Sequence, residues 1–283
     1  MRSSSDPDRD DEVGLKVAVA GKGGVGKTTI VGALARLWAS QGLKVIAVDA
    51  DPAAHLHSVL EIPNESAPLA ISSELDLIEE RTGARPGTQS GPFYRLNPRV
   101  DDIPDKYAVV GADGVKLLVL GTIRSVGSGC FCPENAVLRG LLEHVILEKD
   151  EAVIVDMEAG LEQFGRATCR GVDVMIVVVE PGLKSVETAS RINDLSREMG
   201  VRRIVVVANR VRNASEARGV KHMLEERGLE LLHSIPYSQA LAKAELLGVS
   251  PFSVNGSAKW LDSVRQLSNK VSKFSVSEGR MTN

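Results

Sequence analysis

The chain has 283 residues, 43% of them hydrophobic but only 4% aromatic, a balance that suits one sizeable aliphatic α/β core rather than a β-sandwich. A formal net charge of −3 provides no basic footprint, so no nucleic-acid partner is expected. Three cysteines make no disulfide framework, and a close pair among them points instead to metal or redox chemistry.

In chain order, the opening MRSSSDPDRDDEVG is polar and acidic and lacks the apolar core of a signal peptide. Residues 1–14 read as a disordered arm, 15–274 as a single domain and 275–283 as a flexible tail, and with no apolar run of spanning length the expectation is a cytoplasmic protein. Short aliphatic runs at 16–20, 44–49, 115–120, 152–156, 174–180 and 203–209 read as buried strands. Amphipathic helices fall between several of them, carrying Ile30, Val31, Leu34, Leu37 and Trp38, and later Val137, Leu138, Leu141 and Leu142. This alternation predicts a doubly wound, mostly parallel sheet. Residues 107–110 and 115–120 flank Gly-Ala-Asp-Gly and predict a β-hairpin inserted into that pattern, while 82–104, without a clear period, reads as loop. Trp260, Leu261, Val264, Leu267, Val271 and Phe274 recur at helical spacing with lysines nearby. Such a tail could bind a membrane, but Asp262 and its polar residues dilute the charge, so docking on the sheet is expected and membrane binding is not.

The sharpest motif is Gly21-Lys22-Gly23-Gly24-Val25-Gly26-Lys27-Thr28-Thr29, which follows a strand and opens a helix, matching G-x-x-x-x-G-K-[ST] in the required context. Its glycines let backbone N–H groups face phosphate oxygens, Lys27 adds a full charge, and Thr28 is placed to hold Mg²⁺. The fold class is therefore α/β of the P-loop NTPase type, with ATP as the nucleotide expected. Asp51, in Asp49-Ala50-Asp51-Pro52, ends a strand at the edge where open α/β sheets bind ligands, and Asp156 closes an apolar strand as a Mg²⁺-holding acid should. Cys130 and Cys132 sit one residue apart just before Pro133, where a helix N-terminus favours thiolate. By spacing alone they could ligate a metal, form a redox pair or be small buried hydrophobes. Two such turns meeting at a dimer axis would supply four thiolates to Ni²⁺ or Zn²⁺.

The second lysine, Lys22, makes the loop resemble the deviant Walker A branch of P-loop ATPases, which includes the nitrogenase iron protein and the cell-division and partition ATPases. That resemblance implies a homodimer in which Lys22 reaches the partner's nucleotide. It makes Asp51 the residue that positions the attacking water, Gly160 the γ-phosphate sensor, and Asn209, Arg210, Pro236 and Tyr237 the base-side contacts. Cys130-Phe131-Cys132-Pro133-Glu134-Asn135, the run from Asp156 to Glu162, and Arg95 to Pro104 together resemble the CooC-type ATPases that insert nickel during maturation of carbon monoxide dehydrogenase. The likeness implies an ATPase that delivers nickel to that apo-enzyme as its client. Gln163 departs from it, standing where a histidine is expected, and the acidic arm has no counterpart. The alternatives are an iron–sulfur, ATP-dependent reductase or carrier and a positioning ATPase.

Overall fold

The computed structural model describes residues 14–51, 55–86, 94–121, 133–144, 150–157 and 172–274. Among the described residues eight strands form one sheet: β1 (Leu15–Gly21), β2 (Lys44–Ala50), β3 (Val109–Val110), β4 (Lys116–Val119), β5 (Glu151–Met157), β6 (Val174–Val179), β7 (Arg203–Val211) and β8 (Leu231–Pro236). They lie in the order β3-β4-β2-β5-β1-β6-β7-β8, all parallel except β3 at one edge. Central strands such as β6, Val-Met-Ile-Val-Val-Val, are buried at every position because helices cover both faces, which is why they read as continuous apolar runs rather than alternating ones.

One face is covered by α1 (Lys27–Ser40), the short α2 (Leu56–Val59) and α9 (Ala258–Val271), which bury Ile30, Leu34, Trp38, Trp260, Val264 and Leu267 against Val17, Val19 and Ile176. The other face carries α3 (Leu75–Thr82), α5 (Pro133–His144), α6 (Leu183–Glu198) and α7 (Ala214–Glu225), with Ile78, Val137, Leu141, Ile192 and Leu224 packed on Ala18, Val155 and Val177. The terminal helix thus docks on the sheet as expected, its apolar stripe buried and Lys270 Nζ donating to the Leu232 carbonyl at the sheet edge (2.8 Å). Among the described residues no helix is long and apolar enough to cross a membrane.

Three details differ from the sequence reading. The hairpin is present but short: β4 pairs in parallel with β2 as a full member of the sheet, and only the two-residue β3 runs against it. Residues 82–104 are not all loop, because Thr82 ends α3 and Ile103 opens α4 (Ile103–Tyr107). The strand β8 went unread because Leu231–Pro236 mixes His233 and Ser234 into an edge strand, with half-buried positions and no clean period. Its follower α8 (Gln239–Leu247) starts at Ser238, whose hydroxyl accepts from Leu241 N, and stops at Gly248 in the left-handed region (φ 63°).

Candidate functional site

The loop from Gly21 to Gly26 joins β1 to α1 at the C-terminal edge of the sheet, where Ala50, Met157, Val179 and Val211 end the neighbouring strands. Two glycines there cannot be replaced cheaply. Gly21 (φ 148°) lies against the Val178 carbonyl with no room for a Cβ, and Gly26 (φ 91°) would put one 2.6 Å from Asn209 Nδ2. Lys27 is buried at the start of α1, whereas Lys22 is exposed.

Beneath the loop the register between β2 and β5 sets Asp49 beside Asp156. Asp156 is 1% exposed, and among the described residues neither carboxylate oxygen has a hydrogen-bond partner of good geometry, the Thr28 hydroxyl being the near one. Burial pushes its pKa up to about 7, against the nearby Thr28 hydroxyl, which draws it down, and with the negative field of Asp49 raising it further. Asp49, fully buried, is pushed up to about 6, chiefly by burial and despite two backbone N–H donors. A sealed carboxylate with only a threonine hydroxyl near it among the described residues is the donor chemistry that suits Mg²⁺, and Thr28 and Asp156 fit that ion.

Above these groups lies a cleft of about 940 Å³. Its lining brings together Gly23, Gly24, Gly26, Lys27, Thr28 and Thr29 from the loop, Asp51 from the end of β2, and Asn209, Arg210, Pro236 and Tyr237 from the β7 and β8 ends. Val25 is buried under the loop and Asp156 under the floor. Asn209 and Arg210 have specific work there: Asn209 Nδ2 donates to the Val25 carbonyl (2.8 Å) and Arg210 Nη1 to the Gly24 carbonyl (2.8 Å). Arg210 also pairs with Glu245 on α8 (2.9 Å), and its own backbone is left-handed (φ 59°) at an irregularity in the β7–β8 pairing. Tyr237, exposed, has the Arg212 guanidinium 5.3 Å from its ring centre.

The sequence reading missed much of the far wall, including His55, Val59, Leu241, Val249 and Trp260. Only Trp260 carried a signal, as the first apolar position of the last helix. Cys130, Cys132 and Gly160 lie outside the described residues, among which no group of three or more metal-binding side chains occurs.

Residues 16–252 match the family model of the CobQ/CobB/MinD/ParA nucleotide binding domain. At 44% identity over 243 residues, the chain is similar to the carbon monoxide dehydrogenase accessory protein CooC of Rhodospirillum rubrum, covering 85% of this chain and 90% of that one. The chain belongs to this nucleotide-binding family, in its CooC-type branch. Family membership makes it a P-loop protein of ATPase type. An uncharacterised ATP-binding protein of Methanocaldococcus jannaschii is 46% identical over 235 residues, 83% of this chain and 90% of its own length. Among solved structures, the cell division ATPase MinD of Pyrococcus furiosus superposes with a TM-score of 0.65 over 92% of this chain and 99% of its own. At 18% identity that likeness shows the fold alone.

Proposed function

We propose that this CooC-type protein is an ATP-driven metallochaperone that acts as a homodimer in the maturation of carbon monoxide dehydrogenase, with nickel, or zinc in its place, as cargo. The observation that carries the proposal is the 44% identity spanning 90% of CooC, which far exceeds what a shared fold requires.

The residues divide the work as follows. Backbone N–H groups of Gly23, Gly24 and Gly26, with Lys27, hold the phosphates, and Asn209 keeps the loop in shape from below. Thr28 and Asp156 would hold Mg²⁺, which supplies charge neutralisation at the transferred phosphate. Asp51 lines the cleft at the end of β2, in position to orient a water towards the γ-phosphate. Pro236 and Tyr237 close the base side. Exposed Lys22 is free of the cleft lining and suits a reach across a two-fold axis to the partner's nucleotide. Gly160 is proposed as the sensor that reports loss of the γ-phosphate, and Cys130 and Cys132 of two protomers as a four-thiolate seat for the cargo.

The deciding experiment is anaerobic binding of Ni²⁺ and Zn²⁺, with and without ATP, read together with molecular mass. One ion per dimer, lost in the Cys130→Ser, Cys132→Ser double variant, is the expected result. Lys22→Ala should abolish ATP-dependent dimerisation, and an unaffected dimer would sink that part. Iron and visible absorption after anaerobic purification would favour an iron–sulfur carrier. Absence of any metal, with a dimer that still answers to ATP, would favour a positioning ATPase.

A further inference from the structure

Asp49 is, with Asp156, one of two sealed acids of the site and has no part in the scheme above. Both of its oxygens are nevertheless engaged, and by main chain on opposite sides: Oδ1 accepts from Asp51 N (3.1 Å) and Oδ2 from Leu56 N (2.9 Å). Its own carbonyl accepts from Leu120 N (2.8 Å), so the residue is fixed to the sheet while its side chain reaches forward. We infer that Asp49 is a positioning residue for hydrolysis, a clamp that ties the backbone of Asp51 and of Leu56 to the sheet and thereby sets where the Asp51 carboxylate stands.

The chemistry explains why an acid is kept at a position where burial, and to a smaller extent the Asp51 charge, disfavour its ionised form. Two N–H donors approach two different oxygens, and only a carboxylate offers both. Asparagine would present an amide NH₂ to one of them, leaving a donor facing a donor. Serine has one oxygen and a shorter reach. Asp49 therefore acts through another residue, whereas Asp156, with no well-aligned donor among the described residues, remains available to an ion. The two neighbouring acids are divided by what they bind: main chain for one, ligand for the other.

The inference rests on the proposed role of Asp51, and the test separates the two. In the unaltered protein, residue-resolved hydrogen exchange should show the Asp51 and Leu56 amides protected; free exchange at either overturns the clamp without any variant. Asp49→Asn should then speed exchange at both amides and lower kcat about tenfold, because small displacements of a reacting group are costly. KM for ATP and the Mg²⁺ concentration for half activation should stay within about twofold, since no ligand contact is lost. An unchanged kcat overturns the inference, as does a large shift in Mg²⁺ requirement with the amides still protected. Asp51→Asn is measured alongside. If it lowers kcat and adding Asp49→Asn lowers it no further, Asp49 acts through Asp51; a second, independent tenfold loss overturns that. Should Asp51→Asn leave kcat intact, the role given to Asp51 fails, while amide exchange still decides the clamp.

Discussion

At the phosphate end of the cleft, Asp156 is sealed from water with no well-aligned hydrogen-bond partner among the described residues, and its pKa stands near 7. At the end proposed for the base, Asn209 and Arg210 each give a donor to a phosphate-loop carbonyl, and Arg210 adds a partner on α8. A buried polar group without a partner costs free energy that a fold tolerates where a ligand will supply the partner. Groups already paired with main chain shape the site instead of waiting for a ligand. On the proposed function, the contrast makes the phosphate end the part completed by metal and nucleotide, and the base end the frame that keeps the loop ready.

The strongest way to break this contrast is Asp156→Asn. Removing the charge should leave the ligand-free protein at pH 8 more stable, by on the order of 1–3 kcal/mol, because the ionised carboxylate is held against its burial. Mg²⁺-dependent ATP hydrolysis should fall by about 100-fold or more, a loss of metal-held charge stabilisation worth several kcal/mol. Thermal unfolding without ligand and steady-state hydrolysis check the two halves. A variant less stable than the unaltered protein would mean that Thr28 and Lys27 hold the Asp156 charge more strongly than burial opposes it, and that the contrast is wrong.

Asn209→Ala attacks the frame. The Val25 carbonyl loses its side-chain donor beneath the loop, which should cost about 1–3 kcal/mol of stability. ATP affinity should weaken about tenfold, the equivalent of roughly 1.4 kcal/mol. Calorimetry with ATP and with inorganic triphosphate should show the same loss for both, because the brace acts on the phosphate loop. A loss confined to ATP would assign Asn209 to the base instead.

Protonation sharpens the comparison further. Asp49 and Asp156 both have folded pKa values above the ordinary 3.8, so between about pH 4 and pH 7 the folded protein binds more protons than the unfolded chain. Their contribution to stability is full below pH 4 and is lost as pH rises through about 6 and then about 7. Bound Mg²⁺ favours the carboxylate and should reverse this loss. Binding of Mg²⁺ and ADP near pH 7 should therefore release about half a proton from a group titrating there. Calorimetry in buffers of different ionisation heat measures it, and Asp156→Asn should abolish most of it.

How far the sequence could show this site follows from the same physics. The phosphate loop was legible because its glycines, lysine and threonine are fixed in spacing by one short strand-to-helix turn. Asp156 was legible because an apolar strand ending in an acid has few other uses. Asp49 stood in plain view two residues from Asp51, but nothing local says that its oxygens meet Asp51 N and Leu56 N, so it carried no assignment. Leu241, Val249 and Trp260 line the cleft only because α8 and α9 fold back beside it, a long-range fact that no window contains. β8 was hidden for the reason that edge strands are, since half-solvated positions blur the period.

The smallest expected effect concerns Arg210, which the sequence assigns to the base and the structure ties to Gly24 and Glu245. Its left-handed backbone allows the side chain to be tested apart from the main chain, because glycine accepts φ 59° without strain. Arg210→Gly removes the guanidinium and relieves about 1 kcal/mol of backbone cost, while the part-exposed pair with Glu245 is worth about as little. Stability should therefore change by less than about 1 kcal/mol, and ATP affinity by no more than about threefold. Arg210→Ala keeps the strain and should be less stable than the glycine variant by about 1 kcal/mol. If Arg210→Gly instead loses thirtyfold or more for ATP with triphosphate binding unchanged, the guanidinium leaves Gly24 to meet the base when nucleotide enters. The base end would then join the phosphate end among the parts that wait for their ligand.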